Sequence, residues 1–370
     1  MGIKGSSTRT VYFDNVKVPV ENVLGEIGKG YKIAFNILNI GRLKLGAGTS
    51  GGARAALDMA ATYANERKAF GHPLADFGMI KKKLAYMAAD VYAAEALAFR
   101  TVGLVEDARL AAGADRMAQL AAIEEYAIEC SIAKVYGSEA LGRCVDEGVQ
   151  VFGGYGFMDE YPISHAWRDA RINRIFEGTN EVNRLVAAGT LFRRAMENKI
   201  DLFSTFPEIE QQVSSGQAPD FAGDATPAEL RDSVNLAERL KRAAIYSVMK
   251  GAMKFMANMQ EEQEFLEYAA NQLIAAFAVD SAVARALAAA RAGATDAHTH
   301  ALLAQVATIN LVREARVAME GALTMAFEGD ERKAELAKAR AYLGDPEADI
   351  VPLQRELAGI VSGASGYPLK

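Results

Sequence analysis

The sequence predicts a mainly α-helical protein made of two helical bundles, and three observations carry that expectation. From about residue 30 onward, apolar residues recur at helical spacing through almost the whole chain. The alternation of β-branched or aromatic with polar residues that marks a strand is confined to residues 9–24. Residues 199–226, "KIDLFSTFPEIEQQVSSGQAPDFAGDAT", lose the helical period and gather Ser, Gly, Pro and Gln, so a linker divides the helical sequence in two.

In chain order, "RTVYFDNVKVPVENVL" reads as a strand followed by a loop at Pro19, and "GEIGKG" punctuates it. A long helix is expected over about 31–64, until "ERKAFGHPL" interrupts with Gly71 and Pro73. A second follows over about 74–107 and a third over about 115–143, ending near the glycine-rich "VFGGYGF". Three long helices followed by shorter ones suggest an antiparallel bundle. After Pro227 the helical period returns over about 228–260, 261–293 and 297–328, with a short tail helix after Pro346. Domain boundaries are therefore expected at 1–30, 31–198, a linker at 199–226, and an additional helical domain at 227–370.

Composition narrows the function. A net charge of −6 argues against nonspecific nucleic-acid binding, which needs a basic face. The two cysteines, Cys130 and Cys144, lie in helical sequence and suggest core thiols in a reducing compartment. The start "MGIKGSSTRT" has neither the apolar core of a signal peptide nor the Arg-rich character of a transit peptide. The most apolar run, "NQLIAAFAVDSAVARALAAA", is broken by Asp280 and Arg285, too early for a membrane span of ~20 apolar residues. His72, His165, His298 and His300 show no metal-ligand spacing, and no metal site is expected.

Several residues admit both a structural and a functional reading. In "RIFEGTNEVNRL", Thr179 or Asn180 can cap a helix, and Glu177 is either a routine helix-start acid or a base at an apolar junction. "GGYGF" is either a plain turn or backbone laid bare to a ligand by Gly153, Gly154 and Gly156, and it is no Rossmann fingerprint. Arg67 either complements a helix dipole or forks onto a phosphate, and Arg42 is a snorkelling arginine or a ligand contact. Met249, Met253, Met256 and Met259 form a stripe that is core or a partner groove. Arg239, Lys241, Arg242, Lys250 and Lys254 form a solvated face or a membrane contact.

Taken together, "GSSTRTVYFDNVKVPVENVLGEIGKGYKIAFNIL", "GRLKLGAGTSGGARAALDMAATYANERKAFGHPLADF" and "DEGVQVFGGYGFMDEYPISHAWRDARINRIFEGTNEVNRL" resemble acyl-CoA dehydrogenases from about Gly2 to about Met196. "FEGTN", Gly78 in "ADFGMI" and the extra helical region make the chain most similar to the very-long-chain branch and its bacterial relatives. The resemblance implies FAD-dependent α,β-dehydrogenation of a fatty acyl-CoA, long-chain in preference, to a trans-2-enoyl-CoA in fatty-acid β-oxidation. It makes Glu177 the catalytic base, with water exclusion against Phe176 raising its basicity. Arg67 and Phe70 then resemble residues that contact a neighbouring subunit's FAD, and Gln150, Gly153 and Gly154 the segment beside its adenosine and pyrophosphate. Thr179 and Glu181 follow the base where the family contacts its own FAD. Asn39, Arg42 and Gly178 fall at substrate-binding positions.

The resemblance also implies a homodimer or higher homo-oligomer, electron-transferring flavoprotein as electron acceptor, and a cytoplasmic (bacterial) or mitochondrial-matrix (eukaryotic) location with peripheral membrane contact. Residues 1–30 match the end of the family's middle β domain, so the chain reads as the C-terminal portion of a longer enzyme. Two alternatives share the fold: an acyl-CoA oxidase, and a non-catalytic helical scaffold or assembly factor.

Overall fold

The structure, a computed structural model, describes residues 1–369. Helical periodicity translates into helices close to the expected places: α1 (Gly30–Glu66), α2 (Gly78–Ala111), α3 (Arg116–Glu125) and α4 (Ala127–Phe152). The third expected helix is thus two, broken at Tyr126, and the second of them runs on to the glycine-rich turn. Short helices α5 (Pro162–Ala170) and α6 (Asn180–Met196) complete the first group, in which α1, α2 and α4 pack on one another. The second group comprises α8 (Arg231–Phe255), α9 (Gln263–Arg291), α10 (Ala297–Ala326), α11 (Gly329–Leu343) and α12 (Ile350–Ala364).

Three expectations are corrected. Residues 9–24 form no strand: they are extended and exposed, with a 3₁₀ turn at Val20–Asn22, because no neighbouring strand pairs with them. The one β pairing among the described residues joins Lys68–Ala69 to His72–Pro73. The expected linker contains a helix, α7 (Leu202–Ser215), which buries Leu202, Phe206, Ile209 and Val213. Those four sit on one helical face, a stripe that Pro207 and the polar composition around it hid.

The two helical groups also lack separate cores. Leu57, Leu84 and Val91 of the first group join Leu240, Val279, Leu303 and Leu357 of the second in one apolar cluster. At roughly 25 cal/mol per Å² of apolar area buried, neither group keeps its solvation energy alone. The C-terminal tail closes the joint: Tyr367 and Leu369 are buried, the Tyr367 hydroxyl donates to Glu95, and the Leu369 carbonyl accepts from Arg54.

By length and composition α9 could cross a membrane. Here it lies between α8 and α10, Asp280 pairs with Arg100 and Lys241, and Arg285 pairs with Glu95, so it is a core helix. Of the methionine stripe, Met249 is core while Met253 and Met256 are exposed. Lys241, Arg242 and Lys250 are ion-paired to Glu238 and Glu210, which leaves less of the basic stretch free for a partner.

His298 on α10 bridges two carboxylates, Glu229 at 3.0 Å and Glu356 of α12 at 2.7 Å. Glu356 first, then Glu229, raises its pKa above the ordinary imidazole value. A raised value means that the stabilisation is complete below about pH 6.5 and disappears as pH rises through the folded-state value. The imidazole is mostly exposed, so the effect is small, ~0.2–1 kcal/mol. Urea unfolding of His298→Gln beside the parent protein is expected to show that gap at pH 5.5 and none at pH 9.

Candidate functional site

The "FEGTN" turn carries one of the left-handed backbone segments of the first helical group. Glu177 is in the left-handed region at φ 58° and Gly178 follows at φ 82°. For a residue with a Cβ that conformation costs about 1–2 kcal/mol and persists only where surroundings impose it. Three side chains do so, by donating to three successive carbonyls. Arg42 Nε donates to the Glu177 carbonyl at 3.3 Å, and Lys134 Nζ to that of Gly178 at 2.7 Å. Asn183 Nδ2 donates to Gly178 at 2.8 Å and to Thr179 at 3.0 Å. Thr179 then caps α6 by accepting from the Val182 amide.

The result aims the Glu177 carboxylate at Gly41 of α1. A Cβ there would lie 2.5 Å from Glu177 Oε2, so a larger residue at position 41 would push the carboxylate out of this position. Gly41 also lines an apolar groove of about 590 Å³ between α1 and α3, whose walls include Ile33, Ile37, Ile40, Leu120 and Ile123. The Glu177 carboxylate therefore stands beside Gly41, which itself borders this mainly apolar groove.

One expectation about this turn changes. Ile175 and Phe176 are 45% and 41% exposed, so Phe176 does not itself exclude water from Glu177. Asn39 and Arg42 are buried, and Arg42 donates through Nε to the Glu177 carbonyl and through Nη1 to Asn39 Oδ1. Arg42 supports the turn directly, and Asn39 through Arg42.

Lys134 was not foreseen at all. It is fully buried, and its ammonium also donates to Asn180 Oδ1 at 2.7 Å. Burial depresses its pKa to about 8. Asn180 in turn donates to Glu139, which takes a two-pronged pair from Arg184 at 2.8 and 3.0 Å. Burial opposes the Glu139 carboxylate, but Arg184 and Asn180 outweigh it and hold its pKa below the usual range. The amide of Glu181 and the Thr179 hydroxyl likewise hold the exposed Glu181 carboxyl low.

The other expected residues gather at the far end of α4. Arg67 ends α1 and its guanidinium lies over the Tyr155 ring at 5.8 Å, against the 3₁₀ turn Gly153–Phe157. Gln150, Gly153 and Gly154 are exposed there, and nothing lies within 4 Å of where a Cβ on either glycine would sit. Phe70 is 94% exposed at φ 52°. A bare backbone beside a guanidinium that makes no ion pair among the described residues suits a phosphate. Gly153 follows Lys134 by about 28 Å along α4 at ~1.5 Å per residue, so these residues and Glu177 form two separate sites. The histidines do not converge: His298 bridges carboxylates, His300 meets the Tyr92 hydroxyl, and His165 meets the Asp159 carbonyl.

Two family models, each described as "Acyl-CoA dehydrogenase, C-terminal domain", match the chain over residues 28–192 and 239–341. The chain is 39% identical over 372 residues to a probable acyl-CoA dehydrogenase of Bacillus subtilis (strain 168), covering 99% of this chain and 62% of that one. It is 44% identical over 188 residues to the very long-chain specific mitochondrial acyl-CoA dehydrogenase of Rattus norvegicus, covering 51% and 27% respectively. The crystal structure of an acyl-CoA dehydrogenase complexed with FAD from Bacillus anthracis superposes with a TM-score of 0.92 at 40% identity, over 100% of this chain and 62% of that one.

The helical architecture, with its carboxylate on a strained turn at the head of α6, is that of an acyl-CoA dehydrogenase C-terminal fold. This chain belongs to the acyl-CoA dehydrogenase family. It spans about 62% of the length of the Bacillus relatives it matches.

Proposed function

We propose that this chain carries the base and part of the cofactor site of an FAD-dependent fatty acyl-CoA dehydrogenase. The observation that carries the reading is the Glu177 carboxylate, held at Gly41 beside an apolar groove by donors to three consecutive carbonyls. An acyl chain lying in that groove brings its thioester end to the carboxylate, and Glu177 removes the α proton. The chain itself, displacing water from Ile37, Ile40 and Leu120, supplies the dry surroundings that Phe176 does not.

A bound flavin would supply the acceptor for the β hydride. Thr179 and Glu181 would hold it beside the base, and Arg67, Phe70, Gln150, Gly153 and Gly154 would hold the dinucleotide of a neighbouring subunit. The separation of the two sets along α4 supports such sharing, and with it a homo-oligomer. The preference for long acyl chains rests on the apolar groove and on the likeness to the rat relative. Electron-transferring flavoprotein is the proposed acceptor.

The test is to incubate the protein with FAD, remove free cofactor, record flavin absorbance and mass in solution, and then add palmitoyl-CoA without oxygen. A yellow oligomer whose flavin band bleaches is expected. Retained flavin that no acyl-CoA of any chain length bleaches overturns the reading.

A further inference from the structure

We infer that Asn271, on α9 of the second helical group, is a positioning residue for the Glu177 turn, acting through Arg184 and Glu139. The inference rests on the reading of Glu177 as the base, and it gives the second group a part in holding that base.

The contacts are continuous. Asn271 Oδ1 accepts from Arg184 Nε at 2.6 Å, which fixes the rotation of a guanidinium whose other two nitrogens grip Glu139. Glu139 Oε1 accepts from Asn180 Nδ2 at 2.9 Å. That leaves Asn180 Oδ1 facing Lys134 Nζ, and the same ammonium donates to the Gly178 carbonyl. An amide presents donors on one side and an acceptor on the other, so a carboxylate on its nitrogen and an ammonium on its oxygen admit a single orientation. Loosening the guanidinium therefore loosens Glu139 and leaves the Asn180 amide, and through it the ammonium on Gly178, held only by Ser138 Oγ on that side.

Packing follows the same route. Ala188 and Phe192 of α6 are buried with Phe265, Leu266 and Ala269 of α9, so the helix that the turn opens is itself clamped by the second group. Arg184 is the polar member of that clamp nearest the turn, and its side chain is only 14% exposed. Asn271 borders a cleft of about 200 Å³ with Tyr268 and Ile274, which leaves room for a leucine at position 271.

Hydrogen exchange read by mass spectrometry on the whole chain tests this. Asn271→Leu removes the acceptor, and exchange at residues 177–183 is expected to quicken on the order of tenfold, the effect of losing one hydrogen bond to a charged group. Asn271→Asp keeps the acceptor and is expected to restore the parent rate. Core amides of α10 are expected to stay unchanged in both. Unchanged exchange at 177–183 in Asn271→Leu overturns the inference. So does equal acceleration in Asn271→Leu and Asn271→Asp, which would make the effect one of packing. Neither flavin nor acyl-CoA enters the measurement, so the coupling stands or falls apart from the assignment of the base.

Discussion

In the flavin-loaded protein, Glu177→Gln is expected to lower acyl-CoA turnover by about 10²- to 10⁴-fold, the contribution typical of a positioned general base. Glutamine has the shape of glutamate, so it still fills the space over Gly41, and the turn is held through carbonyls that the substitution leaves in place. Flavin content and unfolding midpoint should therefore match the parent protein, while anaerobic bleaching of the flavin by palmitoyl-CoA slows. Loss of bound flavin together with turnover would mean a collapsed site and would leave the base unassigned. Full turnover in Glu177→Gln would remove the carboxylate from the chemistry altogether. Glu177→Asp gives an intermediate case: its shorter side chain retracts the carboxylate from the groove, and a loss that exceeds the change in stability measures how much of the rate depends on reach.

How much of this was legible differs by the distance along the chain that each feature spans. The long helices were readable because their period is local, and Thr179 as a cap and Arg67 at a helix end were readable for the same reason. Glu177 could be singled out in the sequence because an acid, a glycine and a cap stand together. What holds it could not. Lys134 lies 44 residues from the carbonyl it serves and sits in α4 as a lysine like many others. Its burial is a fact of how α1, α4 and α6 come together. Gly41 reads as a weak point in an apolar helix until a carboxylate 136 positions later is folded onto it. Helix α7 was missed for the opposite reason, since its apolar stripe is local but carries Pro207 among residues typical of a linker. The sharing of apolar core between the two groups was missed because the sequence shows which faces are apolar and not which faces meet.

Lys134→Met separates stability from order in the turn, and the two are expected to move in opposite directions. The buried ammonium titrates near pH 8 in the folded chain, against 10.5 as the ordinary lysine value. A lowered folded value means that the unfolded chain binds more protons between those two pH values, so stability from this group rises as pH rises from 8 to 10.5. Below pH 8 the folded protein bears the whole cost of the charge, up to ~3 kcal/mol. Methionine removes that cost and leaves each acceptor a neighbouring donor. Gly178 keeps its bond from Asn183, and Asn180 Oδ1 lies 3.2 Å from the Ser138 hydroxyl, which can turn to it from the Val135 carbonyl.

Lys134→Met is therefore expected to be more stable than the parent protein at pH 7 by ~1–3 kcal/mol, within the range found when buried charges give way to apolar groups. The advantage should shrink as pH approaches 10.5, where the parent protein sheds the same proton. Tyr92 and Tyr367, whose burial raises their pKa values, destabilise both proteins equally at high pH and cancel in the difference. Urea unfolding at pH 7, 8.5 and 10 measures the gap, and a Lys134→Met protein that is less stable at every pH contradicts the argument. The same substitution leaves Glu177 with one donor fewer against its left-handed strain, so exchange at residues 177–183 should quicken even as the global stability grows. A lysine that costs stability yet steadies the turn is what a fold would retain if the orientation of Glu177 matters more than the energy of the core.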